Sequence, residues 1–334
     1  MSKAEVKTPF LITIDTEGDN LWQISDKIQT KNAHYIPRFQ CLCEKYGLKP
    51  TYLVDYEMAL SRDFQHFGLD VIGRDAAEIG MHLHAWNSPP VFDLTGNDSQ
   101  NKPYLIEYPS GIMFKKIQVL TQLLQDIFDI KIISHRAGRW AFNNQYMGLL
   151  KQFNYKTDCS VTPHVTWENM KGDPKGLGGC DYRSFPDFPY FPDNSNIAEP
   201  REGTFLELPM TIIPQRNWFL LEMMRKKCEK NARIKTVLNY FFPEVVWLRP
   251  NGRNLPDMVK ILERAHDEKW NYVMFMLHSS ELMPRGSPTF KTSSSIEKLY
   301  RDLEILFHST KDKFAGMTIA EYYNLFKKCE LRWN

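Results

Sequence analysis

The feature that most restricts how this chain can fold is an alternation. Short apolar runs bounded by polar turns recur between longer amphipathic segments. A short apolar run between turn formers reads as a buried strand. A longer segment with apolar positions every three to four residues reads as a helix with one face on a core. On that basis strands are predicted over 10–15, 50–54, 78–84, 131–135, 155–160, 204–210, 245–248 and 272–278. Helices are predicted over 32–46, 110–128, 143–153, 218–230, 255–269 and 294–309. Such alternation implies parallel strands with helices outside, in an open doubly wound sheet or a barrel. The number of strands favours the barrel. The expected fold class is α/β, a distorted (β/α) barrel of about seven parallel strands with long loops over the carboxyl-end face. Residues 1–334 are expected to form one domain.

In (β/α) barrels the chemistry sits at the carboxyl ends of the strands. Five predicted strands end in ionisable groups: Asp15 and Glu17, His82 and His84, His135 and Arg136, Asp158, and His278. A charge at a buried strand end is costly unless it is paired or used, so five such ends together point to a site. Two segments read as long loops. One spans 87–109 and holds four prolines. The other spans 161–200 and includes Gly-Leu-Gly-Gly and Phe-Pro-Asp-Phe-Pro-Tyr-Phe-Pro. A long loop inside a compact domain is functional or disordered, and this aromatic content argues against disorder. The 161–200 segment is expected to be a lid or wall over the site.

Each motif alone has a plain structural reading. His82 and His84 share a strand face; they are either two satisfied core histidines or ligands for a divalent transition metal. Asp15, Glu17 and Asp19 are either an acidic turn or a metal carboxylate beside a general base. Arg136, in Ser-His-Arg-Ala-Gly-Arg-Trp, would orient a carboxylate or stabilise developing charge. His278, after an apolar run, is well placed as a general acid, with Asp158 on another strand end available to hold its second nitrogen.

Taken in order, these motifs resemble the polysaccharide deacetylase family (NodB-homology, carbohydrate esterase family 4), in a divergent branch with Asp-x-Glu and His-x-His-x-Trp motifs. The resemblance runs from Phe10 to about Glu281. It implies a metal-dependent hydrolase removing an N-acetyl or N-formyl group from a sugar, in lipopolysaccharide O-antigen or capsule assembly. It further implies Glu17, His82 and His84 as ligands of a divalent metal, zinc by default. Asp15 would be the base, Arg136 its holder, His278 the acid, and Asp158 the residue that tunes His278. The sequence departs from the common family pattern at two points. Thr16 separates the two acids, so that Asp15, Glu17 and Asp19 all remain candidates for the metal carboxylate. Trp86 stands where the usual second histidine would be, leaving His84 as the substitute. Two other readings stay open: an amidohydrolase acting on cyclic amides, and a glycan-binding protein whose catalysis has lapsed.

Composition narrows the partners. With 42 basic and 40 acidic residues the formal net charge is +2, which gives no basis for binding bulk nucleic acid or an anionic membrane. No apolar run is long enough to span a bilayer. The polar start, Met1 to Thr8, does not read as a signal peptide. Cys41, Cys43, Cys159, Cys180, Cys228 and Cys329 form no C-x-x-C pair and are expected as free thiols of a cytoplasmic protein. The expected partner is a sugar or glycan substrate.

Overall fold

The computed structural model describes residues 7–24, 27–215 and 244–328. Its centre is β1 (Thr8–Thr16), buried along its whole length, as a strand covered on both faces must be. Its side chains divide by parity. Phe10, Ile12 and Ile14 pack outward against the helices, whereas Leu11 belongs to the inner cluster with Leu53, Met274 and Met276. The same period of two runs through β2 (Pro50–Val54), β3 (Glu78–Leu83), β4 (Ser134–Ala137), β5 (Thr157–Asp158) and β6 (Leu206–Glu207).

The parallel sheet runs in the order β9–β1–β2–β3–β4–β5–β6, where β9 is Val273–His278, and an eighth strand, β10 (Phe314–Met317), lies beside β1. β1 shares one edge between two partners: Thr8 to Leu11 pair with β10 and Ile12 to Thr16 with β2. Helices α1 (Ile36–Lys45), α2 (Tyr56–Ala59), α3 (Arg62–Gly73), α4 (Asp98–Asn101), α5 (Ser110–Phe128), α6 (Asn144–Gln152), α7 (Leu255–Asp267), α8 (Ser293–Thr310) and α9 (Ile319–Lys327) complete the α/β fold. It is a distorted, partly open barrel. Between β6 and β9 the wall is bridged by other segments: Met274 N–H donates to Thr211 Oγ1 (2.8 Å) and Met276 N–H to Leu248 O (3.2 Å). Among the described residues no helix is long and apolar enough to cross a membrane.

Several expectations are corrected. The 245–248 run is not a parallel barrel strand: β8 (Val245–Trp247) pairs antiparallel with β7 (Ile212–Pro214) in a separate ribbon, and Leu248 after it bonds to β9. The 32–46 segment divides into a 3-10 turn (Lys31–Tyr35) and α1, with proline in the first helical turn, where its fixed φ and missing N–H are tolerated. The 87–109 loop carries α4 and a 3-10 turn (Leu105–Glu107). The helix predicted over 218–230 lies outside the described residues, as do Cys228 and Cys329. Cys41, Cys43, Cys159 and Cys180 are free.

Candidate active site

The parity that builds the inner core also builds the site. On β1 the inward column is Leu11, Thr13, Asp15; on β9 it is Met274, Met276, His278; from β3 it continues as Gly80, His82, His84. Each column ends, at the carboxyl end of the barrel, in a titratable group.

Glu17, His82 and His84 each offer one ligand atom, and these atoms lie within 4.8 Å of one another. Glu17 Oε2 is 2.9 Å from His84 Nε2 and 3.5 Å from His82 Nε2. Tetrahedral zinc with bonds of about 2.1 Å holds neighbouring ligand atoms about 3.4 Å apart, so the spacing suits such an ion. The ring of His82 is set for ligation: its Nδ1 faces the Arg136 carbonyl oxygen at 3.0 Å. An Nδ1–H donated there leaves the Nε2 lone pair facing Glu17. His84 Nδ1 is buried without a hydrogen-bond partner among the described residues. A Cβ at Gly138 would lie 2.6 Å from His84 Nδ1 and 2.6 Å from the Leu83 carbonyl oxygen, so only glycine fits against this ring. Glu17 itself is pinned through its backbone. Its N–H donates to Ser279 Oγ (3.1 Å), its carbonyl accepts from Asn32 Nδ2 (2.9 Å), and the next N–H, of Gly18, donates to Asp55 (3.0 Å).

Burial pushes the Glu17 carboxyl up, but His278, His82 and His84 outweigh it and hold it far below its usual range. Burial likewise opposes protonation of both histidines. For His84, burial and then the neighbouring His82 lower the ring to about 4. For His82, Asp15 and Glu17 together overcome burial and raise it.

Asp15 is 2% exposed and takes a hydrogen bond of 2.6 Å from Arg136 Nη1. Arg136 is fully buried; its Nε donates to the Cys159 carbonyl (3.0 Å) and its Nη2 to Thr13 Oγ1 (2.9 Å). Burial raises the Asp15 carboxyl, but Arg136, His82 and His278 together hold it below its usual value. Asp15 therefore stays charged, with its other oxygen 3.9 Å from His82 Nε2 and 3.8 Å from His278 Nε2.

Asp158 was expected to hold the second nitrogen of His278, and it does not. Register pairs Asp158 with His135, not with Arg136. Arg136 points inward, so its neighbours His135 and Asp158 point outward into the helix layer. There Asp158 meets His135 Nδ1, and His135 Nε2 is 2.8 Å from Tyr146 Oη. The second nitrogen of His278 instead faces Glu281 (3.2 Å) and Arg249 (2.9 Å). Burial opposes the Glu281 charge, but Arg249 and His278 bring its carboxyl down to about 2. Glu281 and Arg249 were not assigned from sequence. Arg249 follows an apolar run, but that run is not a barrel strand, so spacing alone does not point to it. Asp19 is also removed as a metal candidate. Its oxygens accept from the Lys31 N–H (3.0 Å), the Asn32 N–H (2.9 Å) and Asn32 Nδ2 (2.7 Å), so it caps the 3-10 turn.

These groups open into a cavity of about 520 Å³. Asp15, Glu17, His82, His84 and His278 form its floor, and Trp22, Trp86, Trp140 and Trp167 stand among its walls. Trp22 meets His278 edge-on at 4.9 Å between ring centres, and Trp86 packs on His84 at 4.4 Å. Trp167, Met170 and Lys171 come from the 161–200 loop. That loop carries isolated bridges but no helix or ladder of its own.

No family model matches the chain, and no curated protein matches it. Twenty-eight chains of solved structure match. One, assigned as a glycoside hydrolase/deacetylase of Parabacteroides distasonis, has a TM-score of 0.61 at 10% identity over 98% of this chain and 73% of that one. Another, assigned as a polysaccharide deacetylase of Mycobacterium smegmatis, has a TM-score of 0.54 at 12% identity over 99% and 94%. A third, the 4-alpha-glucanotransferase of Thermococcus litoralis, has a TM-score of 0.52 at 11% identity, over 96% of this chain and 40% of that one. The chain shares its fold with these deacetylase structures. A glucanotransferase shares that barrel, so the chemistry must be argued from the site.

Proposed function

We propose that this protein hydrolyses an N-acyl amide, acetyl or formyl, on a sugar, using a divalent metal, zinc by default. One observation carries the reading: a Glu–His–His cluster with metal-ligand spacing lies between a charged aspartate and a histidine, at the floor of an aromatic-walled cavity. Glu17, His82 and His84 would hold the metal, which when bound supplies Lewis acidity, lowering the pKa of water and polarising the acyl carbonyl. Asp15 takes the proton of the attacking water. Arg136 keeps that carboxylate charged and aimed; it is a positioning residue. His278 Nε2 delivers a proton to the amide nitrogen as the C–N bond breaks, so the sugar leaves as a neutral amine and the acyl group as an acid. Glu281 orients the His278 ring through Nδ1 in place of the expected Asp158. The aromatic walls suit the faces of a sugar ring, and residues 161–200 supply one of those walls. The family resemblance suggests a role in lipopolysaccharide O-antigen or capsule assembly.

The test measures zinc per chain and acetate or formate release from N-acylated amino sugars, for the wild type and His82→Ala. The variant is expected to hold less than about 0.2 zinc per chain and to lose at least about 10³-fold in turnover, with an unchanged circular dichroism spectrum. Full turnover by a folded His82→Ala protein would remove the assignment.

A further inference from the structure

The cavity carries more positive charge than deacylation of a neutral sugar requires. Lys102, Arg139 and Lys171 line it together with the catalytic groups. Their donors go to backbone carbonyls. Lys102 Nζ donates to Leu21 and Gln23, Arg139 to Lys102 and Lys171, and Lys171 Nζ to Gly176. Carbonyls satisfy hydrogen bonds but do not neutralise charge. Among the described residues no carboxylate forms an ion pair with any of the three. The acid nearest Arg139, Glu107, is occupied by the N–H groups of Tyr104 and Asp173. The fourth cation of the cavity, Arg249, is neutralised by Glu281, and Arg136 by Asp15. Of the carboxylates that line the cavity, Asp15 is taken by Arg136 and Glu17 is left to three cations without an ion pair; Glu107, outside the lining, offsets only part of the Arg139 charge.

The backbone points the same way. Arg139 and Trp140 have φ of +55° and +63°, the left-handed region that side-chain-bearing residues avoid, whereas the +50° of Lys102 is the ordinary cap that ends α4. Strain of this kind collects where structure serves a ligand. Arg139 is further fixed by stacking on Tyr104, 4.1 Å from the ring centre. With Lys102 and Arg139 half-buried, Lys171 at the exposed rim and no ion pair to any of them among the described residues, this wall is built to receive an anion.

We propose that the sugar substrate carries an anionic group, a phosphate or a carboxylate, which docks on Lys102, Arg139 and Lys171 while the acyl amide lies at Glu17, His82 and His84. The placement of the amide rests on the deacylase reading; the anion site does not.

The experiment follows quenching of tryptophan fluorescence in the full-length, zinc-loaded protein. The probes are inorganic pyrophosphate and glucuronate, with glucose as the neutral control. At least one anion is expected to bind about tenfold or more tighter than glucose and to weaken as salt rises, and the tighter of the two names the source of the charge. Arg139→Gln is expected to weaken that anion by about tenfold. Arg139 also braces two loops, so Lys171→Gln serves as a second variant. Its ammonium group is exposed and touches only one carbonyl, and the expected loss is about threefold. An anion held by the zinc alone would be insensitive to both variants, and that result overturns the proposal. So does equal binding of anions and glucose. Anion binding that needs Arg139 and Lys171, without release of acid from any N-acyl sugar, would leave this proposal standing and overturn the deacylase reading. Turnover of neutral amides without preference for anions would do the reverse.

Discussion

Replacing Arg136 by methionine removes the one cation that faces Asp15 from inside the barrel. The two are joined by a 2.6 Å hydrogen bond with both side chains almost fully buried. Breaking such a pair by removing one partner costs about 3–5 kcal/mol, because the other charge stays in a poorly solvating place. The Cys159 carbonyl also loses its donor, worth about another 1 kcal/mol. The expected total is about 4–6 kcal/mol, which for a chain of this size moves the urea midpoint down by roughly 1.5 M. The pH dependence has a definite sign. In the wild type the Asp15 carboxyl lies below its usual value, so the pair stabilises the fold above pH about 4 and that contribution fades as acid titrates Asp15. In Arg136→Met the largest influence, burial, meets less opposition and the carboxyl rises. The folded variant then holds the proton more tightly than the folded wild type does. The variant is therefore closest to wild type in acid and falls away as pH increases. The assay is urea unfolding at pH 5 and pH 8 for both single variants and for Asp15→Asn/Arg136→Met. The double variant should recover at least about 2 kcal/mol relative to the sum of the singles. Losses that simply add, or an Arg136→Met midpoint that rises with pH in parallel with wild type, would refute the reasoning.

Gly138→Ala forces a Cβ to within 2.6 Å of both the His84 ring and a backbone oxygen. The ring must move, and zinc affinity measured by chelator competition should fall about 10–100-fold; unchanged affinity would mean His84 is not a ligand. Asp158→Asn weakens the bonds from His135 and Ser160 and should cost about 1–3 kcal/mol in urea unfolding. It should leave kcat near the wild-type value, because Glu281 holds His278. Glu281→Gln should lower kcat about tenfold, and the opposite pattern would restore the original assignment of Asp158.

What could be read from the sequence, and what could not, follows from where parity is visible. His82 in a six-residue strand with His84 just past its end, or Asp15 in a nine-residue one with Glu17 just past its end, declare their common face by their spacing alone. Asp158 sits in a strand of two residues. Nothing in its neighbours fixes which face it takes until the register with His135 is known, and one residue of slip decides between tuning His278 and bracing the helix layer. Arg249 escaped for a different reason. Its apolar run looks like another barrel strand but forms an antiparallel ribbon with β7, so its approach to His278 is a long-range accident of the chain path rather than a strand-end position. β10 was missed because Phe-Ala-Gly-Met is short and contains glycine. That glycine is required, since a Cβ there would lie 2.6 Å from the Gly47 carbonyl oxygen. The unpaired cations Lys102, Arg139 and Lys171 lie in three separate segments that no periodicity links. Their common wall exists only because α4, the turn after β4 and the 161–200 loop meet over one end of the barrel. Local spacing thus accounts for the groups proposed to do chemistry, while the groups proposed to choose the substrate depend on loops whose meeting no local pattern encodes.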